Sequence, residues 1–99
     1  MLELRPGCET CDVDLPPAAI NAMVCSFECT FCTDCATGLL HNVCPNCGGE
    51  LVRRPVRPQL RLAVFPASTQ RVSKPLLDEC LDKHAALVQK YVGVDPQKR

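Results

Sequence analysis

The sequence predicts a small, metal-dominated α+β fold, followed by an extended basic segment and a C-terminal α-helix. Nine of the 99 residues are cysteine and only four are aromatic, so the usual material of a hydrophobic core is scarce. A chain of this length buries only about 60% of the surface that it exposes when unfolded. Metal ions held by the cysteines are therefore expected to supply much of the stability.

Composition divides the chain into four parts. They are a zinc-binding module (1–52), an extended segment rich in arginine and proline (53–72), an amphipathic helix (73–92) and a tail (93–99). No apolar run approaches the roughly 20 residues that cross a bilayer, so no membrane partner is expected. The N-terminus lacks a basic region followed by an apolar stretch, which predicts a cytoplasmic protein in a reducing compartment.

The first eight cysteines form four adjacent pairs. In order along the chain, the pairs are Cys8/Cys11, Cys25/Cys29, Cys32/Cys35 and Cys44/Cys47. Two thiols at such a spacing turn towards one ion, and two pairs complete the tetrahedron that zinc prefers. A disulfide framework is less favoured in a reducing compartment, and the central spacing reverses that of a bacterial ferredoxin cluster. We therefore predict two zinc ions as cofactors.

Three groupings of the pairs are open. A nested grouping joins the second and third pairs, but only two residues separate them. A sequential grouping joins the first pair to the second and the third to the fourth. An interleaved grouping joins the first to the third and the second to the fourth. In that case the step from Cys29 to Cys32, at most about 10 Å, holds the two sites together.

The order and spacing of the pairs resemble the RING-type zinc finger. Phe31 stands before a cysteine where that family often has phenylalanine, Pro45 lies inside the last pair, and Cys29 occupies the usual histidine position. The resemblance implies a RING-like cross-brace with two zinc sites, which is the interleaved grouping. LIM domains, which are sequential, usually have longer loops. The implied ligands are Cys8, Cys11, Cys32 and Cys35 at site 1, and Cys25, Cys29, Cys44 and Cys47 at site 2.

The chain also resembles a bacterial family of small cysteine-rich proteins of unknown function, from Met1 to about Pro75. The segments that carry this resemblance are CSFECTFC at 25–32, CPNCGGELVRRP at 44–55 and FPAST at 65–69. This second resemblance implies no activity.

Short elements are expected between the ligands. A strand is predicted from Ala22 to Cys25, and a helix from Cys35 to about His41, whose Leu39 and Leu40 reach the core. His41 ends this helix rather than binding metal, since eight thiols already fill two sites. Gly48 permits a positive φ in the tight turn after the last pair.

Charge is divided between the two halves of the chain. Residues 1–50 carry seven acidic residues against one arginine, whereas residues 51–99 carry ten basic residues against four acidic ones. Each zinc ion held by four thiolates adds about −2 to the first half. The module itself is therefore expected to repel nucleic acid.

The basic segment is the first candidate partner surface. Its prolines disfavour a helix and a central strand, which predicts an extended course. The expected role is a strap over the acidic module, and the alternatives are a groove for an acidic partner or nucleic acid and a solvated linker. The candidate binding residues are Arg53, Arg54, Arg57 and Arg61.

The C-terminal helix is the second candidate surface. Ser73 is a plausible N-cap, the helix runs from Lys74 to about Val92, and Gly93 stops it. Its apolar stripe is expected to dock on the module or the strap, with a homodimer or another protein as the alternative. The stripe comprises Leu77, Cys80, Leu81, His84, Val88 and Tyr91, of which Leu77, Leu81 and Val88 are candidate partner contacts. Cys80 is expected to be buried and His84 partly exposed, without a metal.

These patterns favour a non-enzymatic zinc-binding adaptor with an unidentified protein partner. A site closed by four thiolates leaves no position for a reactive water molecule. The RING resemblance implies ubiquitin-ligase-like activity as an alternative, but Thr10 and Gly48 depart from the residues that many ligases have at those positions. Nucleic-acid binding through the basic segment is the other alternative.

Overall fold

The computed structural model describes residues 1–72 and 78–99 and has the predicted small α+β character. Within the described residues, three strands and two α-helices are joined by turns that carry the cysteines. The strands are β1 (Ala22–Val24), β2 (Thr30–Cys32) and β3 (Val52–Arg53), and the helices are α1 (Gln59–Leu62) and α2 (Asp78–Tyr91). A π-helical turn spans Cys35–Leu39 and a 3-10 turn spans Pro96–Lys98. No described helix has the length and apolar character to span a membrane.

The strands form one antiparallel sheet in the order β2-β1-β3. Met23 is central, since it pairs with Phe31 on one side and with Arg53 on the other. The loop between β1 and β2 holds Cys25 and Cys29, and β2 ends on Cys32. The sheet therefore places cysteines of two different pairs at the two ends of one short strand.

The core is small and rich in sulfur. Five of the eleven residues in its main buried cluster are cysteines, which pack around Leu15, Phe31, Leu40 and Leu51. This composition agrees with the predicted shortage of apolar side chains, because few large groups fill the interior without the thiols.

The prediction that Leu39 reaches the core is wrong. Leu40 is fully buried, whereas Leu39 is 47% exposed. The Leu40 N–H donates to Cys35 O, five residues back, at 2.8 Å. This turn is wider than an α-helical one, so Leu40 aligns with the buried Ala36 and Leu39 rotates outward.

The predicted extended segment is interrupted by α1. Gln59–Leu62 form a helical turn directly after Pro58, which occupies the N-cap position. These four residues contain no proline and include helix-favouring leucine, glutamine and arginine. The chain then returns to the module, where the Ser68 N–H donates to Leu4 O at 3.0 Å.

The C-terminal helix ends as predicted. Helix α2 stops at Tyr91, and Gly93 adopts the left-handed region at φ 75°. The Tyr91 ring packs so closely on Gly48 that a Cβ added there would lie 2.8 Å from its Cε2 atom. The expectations for Ser73, Lys74 and Leu77, and for the side chains of Cys80 and Leu81, lie outside the described residues.

Candidate metal centre

The first thiol cluster joins two cysteine pairs that are distant in sequence. The sulfurs of Cys8, Cys11, Cys32 and Cys35 all lie within 4.8 Å of one another. The Cys11 and Cys32 sulfurs are 3.7 Å apart. A tight turn produces the first pair, because the Asp12 N–H donates to Cys8 O at 2.9 Å and Asp12 adopts φ 64°. The cluster is the predicted site 1 set.

The second cluster contains three of the four cysteines predicted for site 2. The sulfurs of Cys25, Cys44 and Cys47 lie within 4.8 Å of one another. Cys29 is near Cys25 but outside this group, and its sulfur accepts a hydrogen bond from Asn46 Nδ2 at 3.3 Å. That bond ties Cys29 to the turn between Cys44 and Cys47.

Backbone N–H groups surround the sulfurs of the second cluster. The Phe27 N–H donates to Cys25 Sγ at 3.3 Å, and the Gly49 N–H donates to Cys47 Sγ at 3.4 Å. Gly48 has the expected positive φ, 76°, and its N–H donates to Cys44 O at 2.8 Å. Such N–H groups stabilise negative charge on a thiolate or on its metal complex.

Burial controls the acidity of the thiols. Desolvation is the main cause that raises the pKa of Cys29, Cys32, Cys35 and Cys44, and neighbouring sulfurs raise each of them further. Burial also opposes ionisation of Cys8, but N–H groups from Thr10, Cys11 and Cys32 outweigh it and lower the Cys8 pKa. A bound cation must therefore displace protons from most of these buried thiols.

Glu9, inside the first cysteine pair, is a supporting residue that sequence reasoning missed. It is 2% exposed, and its carboxylate accepts a 2.6 Å hydrogen bond from Thr30 N–H and a 2.9 Å bond from Arg5 Nη1. The Glu9 N–H donates in turn to Thr30 O at 3.0 Å. The arginine partner makes this buried charge tolerable.

The prediction that Arg54 binds a partner is wrong, because its side chain is buried. Only 1% of the residue is exposed, and desolvation lowers its pKa. Its guanidinium donates to the carbonyl oxygens of Arg5, Leu15 and Pro16 at 2.9, 3.3 and 3.0 Å. Its hydrogen-bond donors are occupied by backbone carbonyl groups of an N-terminal loop, so they are not available to a partner. No sequence pattern shows that these carbonyl groups meet at one side chain.

The rest of the basic segment does lie against the module. Arg57 donates to Leu2 O and to Phe65 O, both at 2.7 Å. The ion pairs between the basic segment and the module are made by Arg71, which is not one of the predicted binding arginines. Arg71 contacts Asp12 at 2.6 Å and Asp14 at 2.8 Å. Arg53 and Arg61 are exposed.

His84 connects α2 to the module and is not partly exposed as predicted. It is 4% exposed, and its Nε2 lies 3.1 Å from both Leu40 O and Val43 O. Two carbonyl acceptors require a proton on Nε2. His41 is exposed and has a positive φ of 50°. Neither histidine belongs to a thiol cluster.

Val88, a predicted partner contact, is half-buried in a cleft between α2 and the π-helical turn. The cleft has a volume of about 500 Å³. Its other lining residues are Leu39, His41, Asp82, His84, Ala85 and Gln89.

Two thiol clusters on a small sheet define a cysteine-rich module that could hold metal ions. The chain belongs to the DUF1272 family of proteins of unknown function, whose sequence profile matches residues 1–57. The match includes all eight paired cysteines and confirms the predicted family resemblance. An uncharacterized protein of Rhizobium meliloti (strain 1021) is 60% identical over 86 residues, which cover 87% of this chain and 100% of that protein. No solved structure matches the chain.

Proposed function

We propose that this is a non-enzymatic zinc-binding protein in which two structural four-cysteine sites, joined as a cross-brace, hold an interaction module together. The observation that carries the proposal is the interleaved grouping of the thiols. Cysteines 8 and 11 meet cysteines 32 and 35, while Cys25, between them in sequence, meets cysteines 44 and 47.

The sulfur spacing fits zinc. A tetrahedral site with Zn–S bonds of about 2.3 Å has sulfurs about 3.8 Å apart. The 3.7 Å separation of the Cys11 and Cys32 sulfurs matches this edge. At the second site, Cys29 would complete the set by turning towards Cys25, with Asn46 as its hydrogen-bond donor.

A structural role follows from the ligand set and its surroundings. Four protein thiolates leave no coordination position for water, so a zinc ion held in this way stabilises the fold instead of activating a nucleophile. The acidic residues near the first cysteine pair are held in ion pairs, since Glu9 contacts Arg5 and Asp12 contacts Arg71. These contacts favour a protein without catalytic activity.

The interaction role rests on surface charge. Arg54 and Arg57 donate to carbonyl groups of the same chain, which leaves Arg53 and Arg61 as the exposed members of the predicted arginine set. Two separated arginines release few counterions from nucleic acid, so a protein partner is favoured. A homodimer through α2 is the alternative partner, and ubiquitin-ligase-like activity has only the RING resemblance in its support.

Metal analysis tests the proposal directly. Protein purified without added metal is expected to contain two zinc ions per chain, and chelation is expected to abolish its folded NMR spectrum. A metal-free protein with the same dispersed spectrum would refute the proposal. A ubiquitin-discharge assay with a conjugating enzyme is expected to show no activity above a reaction without the protein.

A further inference from the structure

We propose that the exposed thiolate of Cys11 makes site 1 a peroxide-sensitive switch, which oxidises before site 2 and releases its zinc ion first. This inference rests on the proposed zinc sites and adds a regulation that they do not require. The two clusters differ at their exposed sulfurs, because the buried Cys32 sulfur of site 1 also accepts a hydrogen bond, from the Cys35 N–H at 3.5 Å.

Cys11 combines exposure with a nearby second sulfur. The residue is exposed, and its sulfur lies 3.7 Å from that of the buried Cys32. Among the residues that the structure describes, no N–H group donates a hydrogen bond of 3.5 Å or less to the Cys11 sulfur. An accessible thiolate with a resolving cysteine beside it is the arrangement that favours oxidation.

The exposed sulfur of site 2 is better protected than that of Cys11. Cys47 is exposed as well, but its sulfur accepts the Gly49 N–H at 3.4 Å. Cys25 and Cys29 accept hydrogen bonds from Phe27 N–H and Asn46 Nδ2, each at 3.3 Å. Hydrogen bonds to a thiolate withdraw charge from sulfur and make it less nucleophilic.

The reaction uses hydrogen peroxide as the oxidant. The Cys11 thiolate attacks one peroxide oxygen, the O–O bond breaks, and hydroxide leaves as a sulfenic acid forms. The Cys32 thiolate then attacks the Cys11 sulfur and expels a second hydroxide as the disulfide forms. The two sulfurs lose two electrons, which peroxide gains. Zinc dissociates because only two thiolates remain.

The structural consequence is selective. Site 1 supports the turn that contains Asp12, the partner of Arg71. Helix α2 instead contacts Leu40, Val43 and Gly48, which lead into or follow the last cysteine pair. Oxidation of site 1 is therefore expected to release the basic segment while α2 stays docked.

Zinc release from the protein with both ions bound tests the switch. Peroxide is added with a chromophoric zinc chelator, and one equivalent is expected in a phase about tenfold faster than the second. A count of two zinc ions before oxidation tests the proposed function separately. No zinc release by excess peroxide, or release of both ions in one phase, would overturn the inference.

Two matched variants locate the sensitive thiolate. Cys11→His and Cys47→His each keep a four-ligand set that binds zinc but remove one exposed thiol. Cys11→His is expected to lose the fast phase, with its initial rate reduced about tenfold, whereas Cys47→His is expected to keep it. The opposite pattern would contradict the assignment.

Peptide mapping of the oxidised wild-type protein gives an answer even if a variant fails to fold. Cleavage after acidic residues produces fragment 10–12, which contains Cys11, and fragment 29–34, which contains Cys29 and Cys32. A disulfide between these fragments, assigned to Cys32 by fragmentation, is expected after one equivalent of zinc is released. A first disulfide within fragment 35–50 would place oxidation at another pair and refute the proposal. Hydrogen exchange at the same point is expected to increase in residues 54–71 but not in α2.

Discussion

The Glu9 carboxylate accepts a 2.6 Å hydrogen bond from the backbone N–H of Thr30, the first residue of β2. Glu9 lies between the two cysteines of the first pair, and β2 ends on Cys32 of the third pair. The bond therefore connects the two chain segments whose sulfurs form the first cluster. It fixes their relative position without requiring a metal ion.

Glu9→Gln should destabilise the metal-bound protein by about 2 kcal/mol, because it weakens a charge-assisted hydrogen bond and leaves Arg5 without its buried partner. Chemical denaturation with saturating zinc measures the free energy of unfolding. Glu3→Gln is the matched control, since the Glu3 side chain is 37% exposed and its ion pair with Arg5 is longer, at 3.4 Å. Its expected effect is within about 0.5 kcal/mol. Equal effects of the two changes would show that the Thr30 bond contributes nothing.

Arg54→Ala should lower the free energy of unfolding by about 3 kcal/mol, because three backbone carbonyl groups lose a charged donor. Arg53→Ala is a close control, since Arg53 is the neighbouring exposed arginine. Thermal unfolding of both variants at equal zinc loading compares them. If Arg53→Ala proved the more destabilising, the burial assigned to Arg54 would be wrong.

Spacing predicted that the thiols act in pairs but left three groupings open, and only the RING resemblance implied the interleaved one. A pair such as Cys8/Cys11 constrains its own backbone to a tight turn, and the short step from Cys29 to Cys32 limits which pairs can meet. The same reasoning did not show that the Asn46 side chain, seventeen residues away, donates a hydrogen bond to the Cys29 sulfur. A bond of that kind depends on how two turns meet.

Buried polar side chains were the main features that the sequence did not predict. Arg54 and His84 resemble surface residues by type, and each is buried because carbonyl groups from distant segments converge on it. Leu39 illustrates the opposite error. An α-helical period predicts that it faces the core, whereas the wider π-helical turn leaves it exposed. Tertiary contacts and turn width decide these positions, and neither is visible in local patterns.

His84→Ala should weaken the docking of α2 without removing metal. Leu40 O and Val43 O would lose their shared donor, which should make the docking free energy of α2 about 1–2 kcal/mol less favourable. Amide hydrogen exchange in α2 should increase, while the zinc content stays equal to that of the wild type. Lys83→Ala, at an exposed neighbouring position, should leave exchange unchanged. Loss of zinc from the His84 variant would contradict a purely docking role.

Cys44→Ser should remove one zinc ion and unfold the region around the second cluster, because Cys44 is fully buried and has two sulfur neighbours within 4.8 Å. Cys80→Ser should leave the zinc content unchanged, since Cys80 is expected from the sequence to have no role as a ligand. Native mass spectrometry counts the ions in both variants. Retention of two ions by Cys44→Ser would remove this residue from the ligand set.

Zinc binding should release protons, and its apparent affinity should therefore rise with pH. Burial, the largest cause, raises the pKa of Cys29, Cys32, Cys35 and Cys44, so these thiols hold their protons near pH 7 when no metal is bound. Zinc requires thiolates, and each displaced proton makes the affinity about tenfold stronger per pH unit.

A titration in weak buffer at about pH 7 measures this release through a pH-indicator dye. About four protons or more are expected for two zinc ions, and the affinity is expected to fall as the solution is acidified. Magnesium is the control, because this hard cation binds thiols poorly and should release none. Release of fewer than about two protons would mean that oxygen or nitrogen ligands, not these buried thiols, hold the metal.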